Sequence, residues 1–568
     1  MAPMAAASPN RSQKTRAAQP LAVSVVVYGL GRLGELSYLV ERDLLAESGI
    51  KRASVDRLVG RVVEVPVGKR AGLGIISGPA DAENATKAIS KLGNRLISAR
   101  HLQVCREVAN RGGGTLAKVV ARAVPKRIAE RALKKPAETY DKLGRKAEAK
   151  GSRVFYAVPP LMPYSELVER VVGREGRGQV LVVCPTRESA QKMLAEHPEW
   201  GELRTDSSWR AWQRGEIKVG VGARGVVLWE GAAVRTVVIV DESHPGHVEA
   251  SQPYTSTVEA AVIRSRVADR FDTAVDVTLL GRVAAPRSLW GGVKYREVGS
   301  RSTGWPTMWV VERGEEVPPA VRAVIRDTQG RMLSVAPDTD AKWRCERCRM
   351  VWDCHRCGLA ILSGGRCGCA DKPVAPHCLV CNSRRRVLVG WDPVKSEATL
   401  RRLGARHIEH IPYWDLGVRP NGGGAVVALF AADGYRSWAG DPGLESVRIL
   451  ARAAVHAGEG GAVLAFGARP GGAVADVIRT RSPRGVVKRA WEEAKKAGMA
   501  PFRREVTIHL AGPRPKVGKL DFVVHGPRPR GDGEWEMLVT CGQEELGAVL
   551  AGIDELRRTR GKLRVRID

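Results

Sequence analysis

The 568-residue chain carries 91 lysines and arginines against 61 acids, a net charge of +30, with 44% apolar and 27% charged residues. That balance excludes wholesale disorder, and at roughly 100–200 residues per domain it predicts about three to five domains. No apolar run reaches the ~18–20 residues of a membrane helix, so no membrane partner is expected; the excess of cations points to a polyanion, usually nucleic acid, whose phosphates exchange counterions for lysine and arginine.

Residues 1–20 (MAPMAAASPNRSQKTRAAQP) are basic and lack the apolar core of a signal peptide. They read as a disordered tail of a cytoplasmic protein. The next run, AVSVVVYGLGRLGELSYLV, places Gly29, Gly31 and Gly34 in a GxGxxG spacing after a strand-like segment, with Asp56 further on. A dinucleotide-binding turn would use that pattern to bring a pyrophosphate onto a helix N-terminus. The following VDRLVGRVVEVPVGKRAGLGII instead reads as two β runs joined by a glycine-basic turn, which argues for a β-rich unit over 21–98. Lys69 and Arg70 at that turn are candidate phosphate contacts. Residues 99–136 read as helices with short breaks, and the charged stretch up to Arg153 as a basic linker.

In RVFYAVPPLMPYSELVERVV (153–172) an apolar strand runs into a loop with Pro159, Pro160 and Pro163 and no lysine, then into a helix. Trp209 and Trp212, beside Arg210 and Arg214, suit helix packing better than base stacking. Further on, TVVIVDES (236–243) is a β-branched strand that delivers Asp241 and Glu242 to a sheet edge.

The most specific signal is cysteine spacing. Of 11 cysteines, eight fall within 37 positions: Cys345, Cys348, Cys354, Cys357, Cys367, Cys369, Cys378 and Cys381. Paired thiolates at CxxC spacing hold half of a tetrahedral zinc site, so four pairs suit two structural Zn2+ ions. Spacing leaves open which pairs share an ion; a nested arrangement would join the outer pairs, 345/348 with 378/381, and the inner pairs with each other. Disulfides are disfavoured without a secretory signal. Cys105, Cys184 and Cys541 sit in apolar runs and read as core. Arg384, Arg385 and Arg386 follow the last pair, and Arg514, Lys516, Lys519, Arg528 and Arg530 cluster in a Pro/Gly-rich tail region; both are candidate DNA contacts.

On these residues the chain resembles the primosomal protein N′ (PriA) family of bacterial replication-restart helicases, in which a four-pair cysteine module interrupts the second of two helicase lobes. VEVPVGKRAGLGII is similar to the family's N-terminal DNA-binding segment, and IKVGVGARGVVLW, with Arg224, to a lobe-one strand and turn. VVIVDESHPGHVEASQPYTSTVEAAVIRSR resembles its Walker B stretch. VALFAADGYRSWAGDPGLESVRILARAAVHAGEGGAVL resembles lobe two, and GEWEMLVTC with GKLRVRID the C-terminal domain. The resemblance implies an α/β fold with two RecA-like helicase lobes. Lobe one would span 150–290, and lobe two 291–342 and 384–475, around a zinc module at 343–383. Before them would come a β-rich DNA-binding unit (21–98) and a winged-helix-like unit with linker (99–149); a C-terminal α/β domain (490–568) would follow.

It also implies ATP and Mg2+ chemistry, with Asp241 on the metal and Glu242 polarising water. Yet a phosphate loop needs glycines, a lysine and a hydroxyl, and PPLMPYSE stands in its place. GPRPKVGKL (512–520) has the wrong spacing and lies too late in the chain. The coupling motif is replaced by LLGRVAAPRSL (279–289), and the arginine motif is reduced to Arg452 in ARAAVHAG. Some members from high-GC bacteria are degenerate in the same way. The reading therefore expects lost or weak ATPase, binding to forks and single-strand/duplex junctions, recruitment of partners such as a helicase loader and single-strand-binding protein, and a cytoplasmic, nucleoid-associated location. Its alternatives are an active ATP-driven 3′-to-5′ helicase of the same family, an unrelated zinc-ribbon nucleic-acid-binding protein, and a nucleotide-dependent oxidoreductase using Gly29–Gly34.

Overall fold

The computed structural model describes residues 21–134, 150–299, 304–352, 376–435, 442–511 and 523–567, short interruptions within these spans apart. Contacts divide the chain into two units, residues 1–102 with 116–141, and residues 103–115 with 142–568.

The first unit is a five-stranded antiparallel sheet in the order Glu35–Val40, Leu21–Val27, Arg70–Pro79, Arg61–Val67, Lys91–Arg95. Alternating valines and isoleucines (Val23, Val25, Val63, Val65, Ile76) fill one core, as expected of a sheet with one buried face. Leu21–Val27 and Glu35–Val40 form an antiparallel pair, with Leu21 opposite Val40. Gly29 and Gly34 therefore belong to the connection between paired strands, not to a strand–helix turn, and the dinucleotide reading fails on that geometry. Helices Leu116–Ala123 and Lys126–Lys134 pack on the same sheet. Tyr28 Oη donates to the carbonyl of Val124 at 3.0 Å. A Cβ at Gly93 would come within 2.9 Å of the Ala132 carbonyl oxygen, so only glycine admits the second helix there. The chain thus leaves the first unit after residue 102, close to the break expected near residue 98, but returns to it from residue 116. The winged-helix-like stretch is three helices, with no strand among its described residues.

The second unit contains two parallel sheets. One has seven strands in the order Lys294–Glu297, Arg153–Ala157, Asp276–Gly281, Val234–Ile239, Gln179–Cys184, Val219–Ala223, Gly201–Glu202. Every neighbouring pair is parallel. Its central strands are continuous apolar runs, Gln179–Cys184 being buried throughout, as a sheet with helices on both faces requires. Ser/Thr capping boxes set the starts of Arg187–Glu196, Asp206–Arg214 and Thr257–Arg270. Because Lys294–Glu297 pairs with Arg153–Ala157, this lobe extends beyond residue 290, its expected end.

The other parallel sheet has the order Thr307–Glu312, Ala462–Ala468, Val426–Leu429, Met332–Val335, Ile408–His410. A small antiparallel pair, Lys342–Cys345 with Arg386–Val389, is inserted between its strands. A four-stranded antiparallel sheet (Val523–Gly531, Glu534–Cys541, Arg504–Ala511, Leu563–Ile567) packs with helix Leu546–Arg560. Helix Arg484–Ala497 packs on helix Pro442–Ala457 and on the turn Pro286–Leu289. The last domain therefore starts nearer residue 500 than 490. Among the described residues, no helix is long and apolar enough to cross a membrane.

Candidate metal centre and strand-end site

Four of the eight clustered cysteines form a site. The sulfurs of Cys345, Cys348, Cys378 and Cys381 lie within 4.8 Å of one another. Cys345 Sγ is 3.4 Å from Cys381 Sγ, and Cys348 Sγ 3.5 Å from Cys378 Sγ. These are the outer pairs of the nested arrangement. The backbone N–H of Cys348 leads the interactions that lower the Cys345 thiol, while burial and the neighbouring thiols raise that of Cys348; the four sulfurs thus share protons that a metal would displace. Four sulfurs, with no further ligand grouped with them among the described residues, suit a closed structural zinc. The two-stranded insert holds the pairs together, with Cys345 opposite Arg386. Trp343 and Trp352 pack around the cysteines, and the Arg386 guanidinium lies 4.6 Å from the Trp343 ring centroid. Arg386 is thus a stacking partner of the insert, while Arg384 and Arg385 are exposed beside it. Cys354, Cys357, Cys367 and Cys369 lie outside the described residues, as do Arg514, Lys516 and Lys519.

The second site lies at the carboxyl ends of the seven-stranded sheet, the edge where open parallel sheets bind ligands. Asp241 follows strand Val234–Ile239 with φ of 52°, a left-handed conformation costly for a residue with a Cβ. Its Oδ1 accepts from Tyr164 Oη at 3.3 Å. Glu242 is 2% exposed. Ser288 Oγ donates to its Oε2 at 2.9 Å, and its Oε1 has no hydrogen-bond partner. Burial raises its carboxyl to about 7, against the pull of Arg448 and Arg287. Arg448 comes from helix Pro442–Ala457 of the other parallel lobe; Arg452, one turn further on, contributes to the field at His244, whose pKa is lowered mainly by burial. The strand therefore delivers Asp241 and Glu242 to the sheet edge, where arginines of the other lobe face them.

At the place of a phosphate cradle, whose glycines and lysine the sequence lacks, the backbone polarity is reversed. In the loop 158–163, Pro159, Pro160 and Pro163 have no N–H. The other three amides are spent: Val158 N donates to Gly281 O, Leu161 N to Gly304 O and Met162 N to Pro159 O. The loop's carbonyls instead converge on a cation. Arg282 Nη1 donates to Val158 O at 3.3 Å, to Met162 O at 2.8 Å, and to Pro159 O. Its guanidinium also lies 4.2 Å from the Tyr164 ring centroid. A cavity of about 20 Å³, lined by Pro159, Arg282, Glu297, Trp305 and Arg481 among others, remains beside the loop. That is room for about one water. Sequence reasoning marked position 282 only as part of a lost motif.

The remaining candidates separate. Lys69 and Arg70 are exposed at the tip between Arg61–Val67 and Arg70–Pro79, where Val67 opposes Arg70 across Gly68 (φ 59°). Arg224 is committed to Glu249 at 3.2 Å and to the Gly246 carbonyl. Trp209 and Trp212 are 2% and 0% exposed and cannot stack on bases. Cys105, Cys184 and Cys541 are buried, and burial pushes the Cys184 thiol up to about 12, the behaviour of an inert core cysteine.

No family model matches the chain, and no curated protein does. Among solved structures it is similar to RecG bound to a three-way DNA junction, at 12% identity over 85% of this chain and 75% of that one, with a TM-score of 0.33. It is also similar to a DEAD box protein from the hyperthermophile Methanococcus jannaschii, at 11% identity over 60% of this chain and 86% of that one, with a TM-score of 0.26. Overlaps this loose carry no argument; the strand order and the strand-end residues do.

Proposed function

We propose that this chain is a DNA-binding protein on a helicase-like, RecA-type two-lobe scaffold of the primosomal N′ kind. In this reading it recognises forked or junction DNA and recruits replication proteins without turning over ATP. The loop 158–163 carries the reading: it offers no free amide to a phosphate and presents carbonyl oxygens to Arg282. Such a loop has the opposite polarity to a phosphate cradle, whose N–H groups must point at the anion. Asp241 and Glu242 persist, but phosphoryl transfer also needs cations on the transferring group, and here Arg282 is already spent on the chain's own backbone. Zn2+ at the four described cysteines stiffens the insert, and the inner four suit a second ion. The net charge of +30 and the exposed Lys69, Arg70, Arg384 and Arg385 supply phosphate contacts, and junction preference would come from the placement of such patches.

The test is DNA-stimulated phosphate release by the zinc-loaded protein, run beside fork and duplex binding at two salt concentrations. The expected results are release at background, tighter binding to the fork, a steep salt slope and no effect of ATP. Brisk release abolished by Asp241→Asn would overturn the reading in favour of an active helicase. That second reading is favoured by one observation, the arginines that face the acidic pair from the other lobe.

A further inference from the structure

The turn 481–484 joins the two parallel lobes beside the closed loop. Arg481 ends helix Ala473–Thr480 in a left-handed conformation, φ 56°, which turns the chain towards the edge strand Lys294–Glu297 of the seven-stranded sheet. There Ser482 Oγ donates to Glu297 Oε1. Arg484 Nε lies 3.5 Å from Glu297 Oε2, and the Arg484 guanidinium lies 5.7 Å from the Tyr295 ring centroid. Tyr295 Oη also donates to Glu297 Oε1 at 3.3 Å. Arg481 and Pro483 line the cavity shared with Val158, Pro159 and Arg282. Helix Arg484–Ala497 starts at this contact and lies against both the turn Pro286–Leu289 of one lobe and helix Pro442–Ala457 of the other.

We propose that residues 481–484 form an internal clasp that holds the two parallel lobes together without any nucleotide, with Glu297 as the anion that both Ser482 and Arg484 grip. A lobe-bridging ligand would supply negative charge at the carboxyl edge of one sheet and accept donors from the other. Glu297 supplies that charge covalently, from the strand next to Arg153–Ala157. The Glu297 side chain is 16% exposed and that of Arg484 57%, so solvent screens the ion pair from the arginine side, while the Ser482 that grips the same carboxylate is buried. The clasp joins the lobes through the chain's own side chains.

The experiment is hydrogen–deuterium exchange on the full-length, zinc-loaded protein without nucleotide, read on peptides spanning 153–163 and 294–299. Arg484→Glu and Glu297→Lys, each alone, are expected to raise exchange there about tenfold. The double swap, which restores an opposite-charge pair, should return it to within about threefold of wild type. Ser482→Ala should raise exchange in the same peptides by a smaller factor. If Glu297→Lys does not fold, Arg484→Ala and Ser482→Ala carry the test. Exchange within twofold of wild type in the folded single variants, or a rise that the double swap leaves unchanged, overturns the clasp. An ATP titration of the same peptides reads the function proposed above separately: protection by ATP would sink that function and leave the clasp to stand or fall on the swap.

Discussion

Glu259 is one carboxylate serving three parts of the chain, and its loss has a calculable cost. Its Oε1 accepts from Arg111 Nε at 2.8 Å and from Arg504 Nη1 at 2.6 Å. Its Oε2 accepts from Ser256 N at 3.4 Å, closing the capping box of helix Thr257–Arg270. Arg504 is 1% exposed, and its Nε and Nη2 have no partner, so Glu259 is the anion that makes its burial tolerable. Arg111 is better provided, with Gln543 Oε1 at 3.1 Å and the Trp290 ring beneath it at 4.4 Å. Glu259→Gln keeps the shape and the capping function, since glutamine serves at the third helical position, but removes the charge. Removing one partner of a buried ion pair costs about 3–5 kcal/mol. At an m value of about 2 kcal/mol/M in urea, that is a midpoint lowered by about 1.5–2.5 M. Urea unfolding followed by pulse proteolysis of the C-terminal sheet measures it. Glu259→Gln/Arg504→Met, which removes the stranded cation as well, should recover part of the loss. A midpoint shift under about 0.3 M for Glu259→Gln would refute the reasoning. Burial alone would raise the Glu259 carboxyl, but Arg504 and Arg111 outweigh it and hold it below its usual value. The triad's contribution is therefore full above the unfolded carboxyl pKa and is lost as pH falls through the lower folded one.

The other predictions test the remaining parts. Arg282→Met strips the donor from three carbonyls of the loop 158–163 and should destabilise by about 2–3 kcal/mol, since hydrogen bonds from a charged donor are worth ~1.5–3 kcal/mol; it should create no ATPase, and measurable turnover in this variant would show that Arg282 merely blocks a competent cradle. Metal analysis should return two zinc ions per chain, and Cys381→Ser should remove one of them together with protease resistance of the insert; full zinc content in that variant would dismiss the described four-sulfur site. Lys69→Gln/Arg70→Gln should weaken fork binding and lower the salt slope by about 1–2, at roughly 0.9 for each phosphate no longer neutralised; an unchanged slope would make that hairpin tip a solvated turn.

What the sequence revealed divides along a physical line. Period and spacing are local, so the apolar strand ending in Asp241 and Glu242 and each CxxC pair were readable directly, whereas the grouping of Cys345/Cys348 with Cys378/Cys381 needed the fold. The pairing of strands was not: GxGxxG after a strand has the same local pattern whether a helix or an antiparallel strand follows, and only the register of Leu21–Val27 on Glu35–Val40 decides it. Domain edges shifted for the same reason. Lys294–Glu297 looks like a connector until it pairs beside Arg153–Ala157, and nothing local in helices Leu116–Ala123 and Lys126–Lys134 says which sheet they cover. Glu259 with Arg111 and Arg504 joins positions 148 and 245 residues apart, beyond the reach of any motif.

Arg282 is the instructive miss, because a signal for it was present. Three prolines in six residues leave a loop with more carbonyls than amides, and the carbonyls that a half-buried, acceptor-rich loop turns inward must find donors elsewhere. Arg282, the first of two arginines in LLGRVAAPRSL and directly after the adjacent strand, could meet that need. Reading the segment only for residues a motor would require finds a gap; counting donors and acceptors predicts an occupant. The same accounting covers the acids beside the loop. Arg282 meets the loop's carbonyls from within the chain. Asp241 and Glu242 are likewise met by side chains of the chain itself, Tyr164 and Ser288.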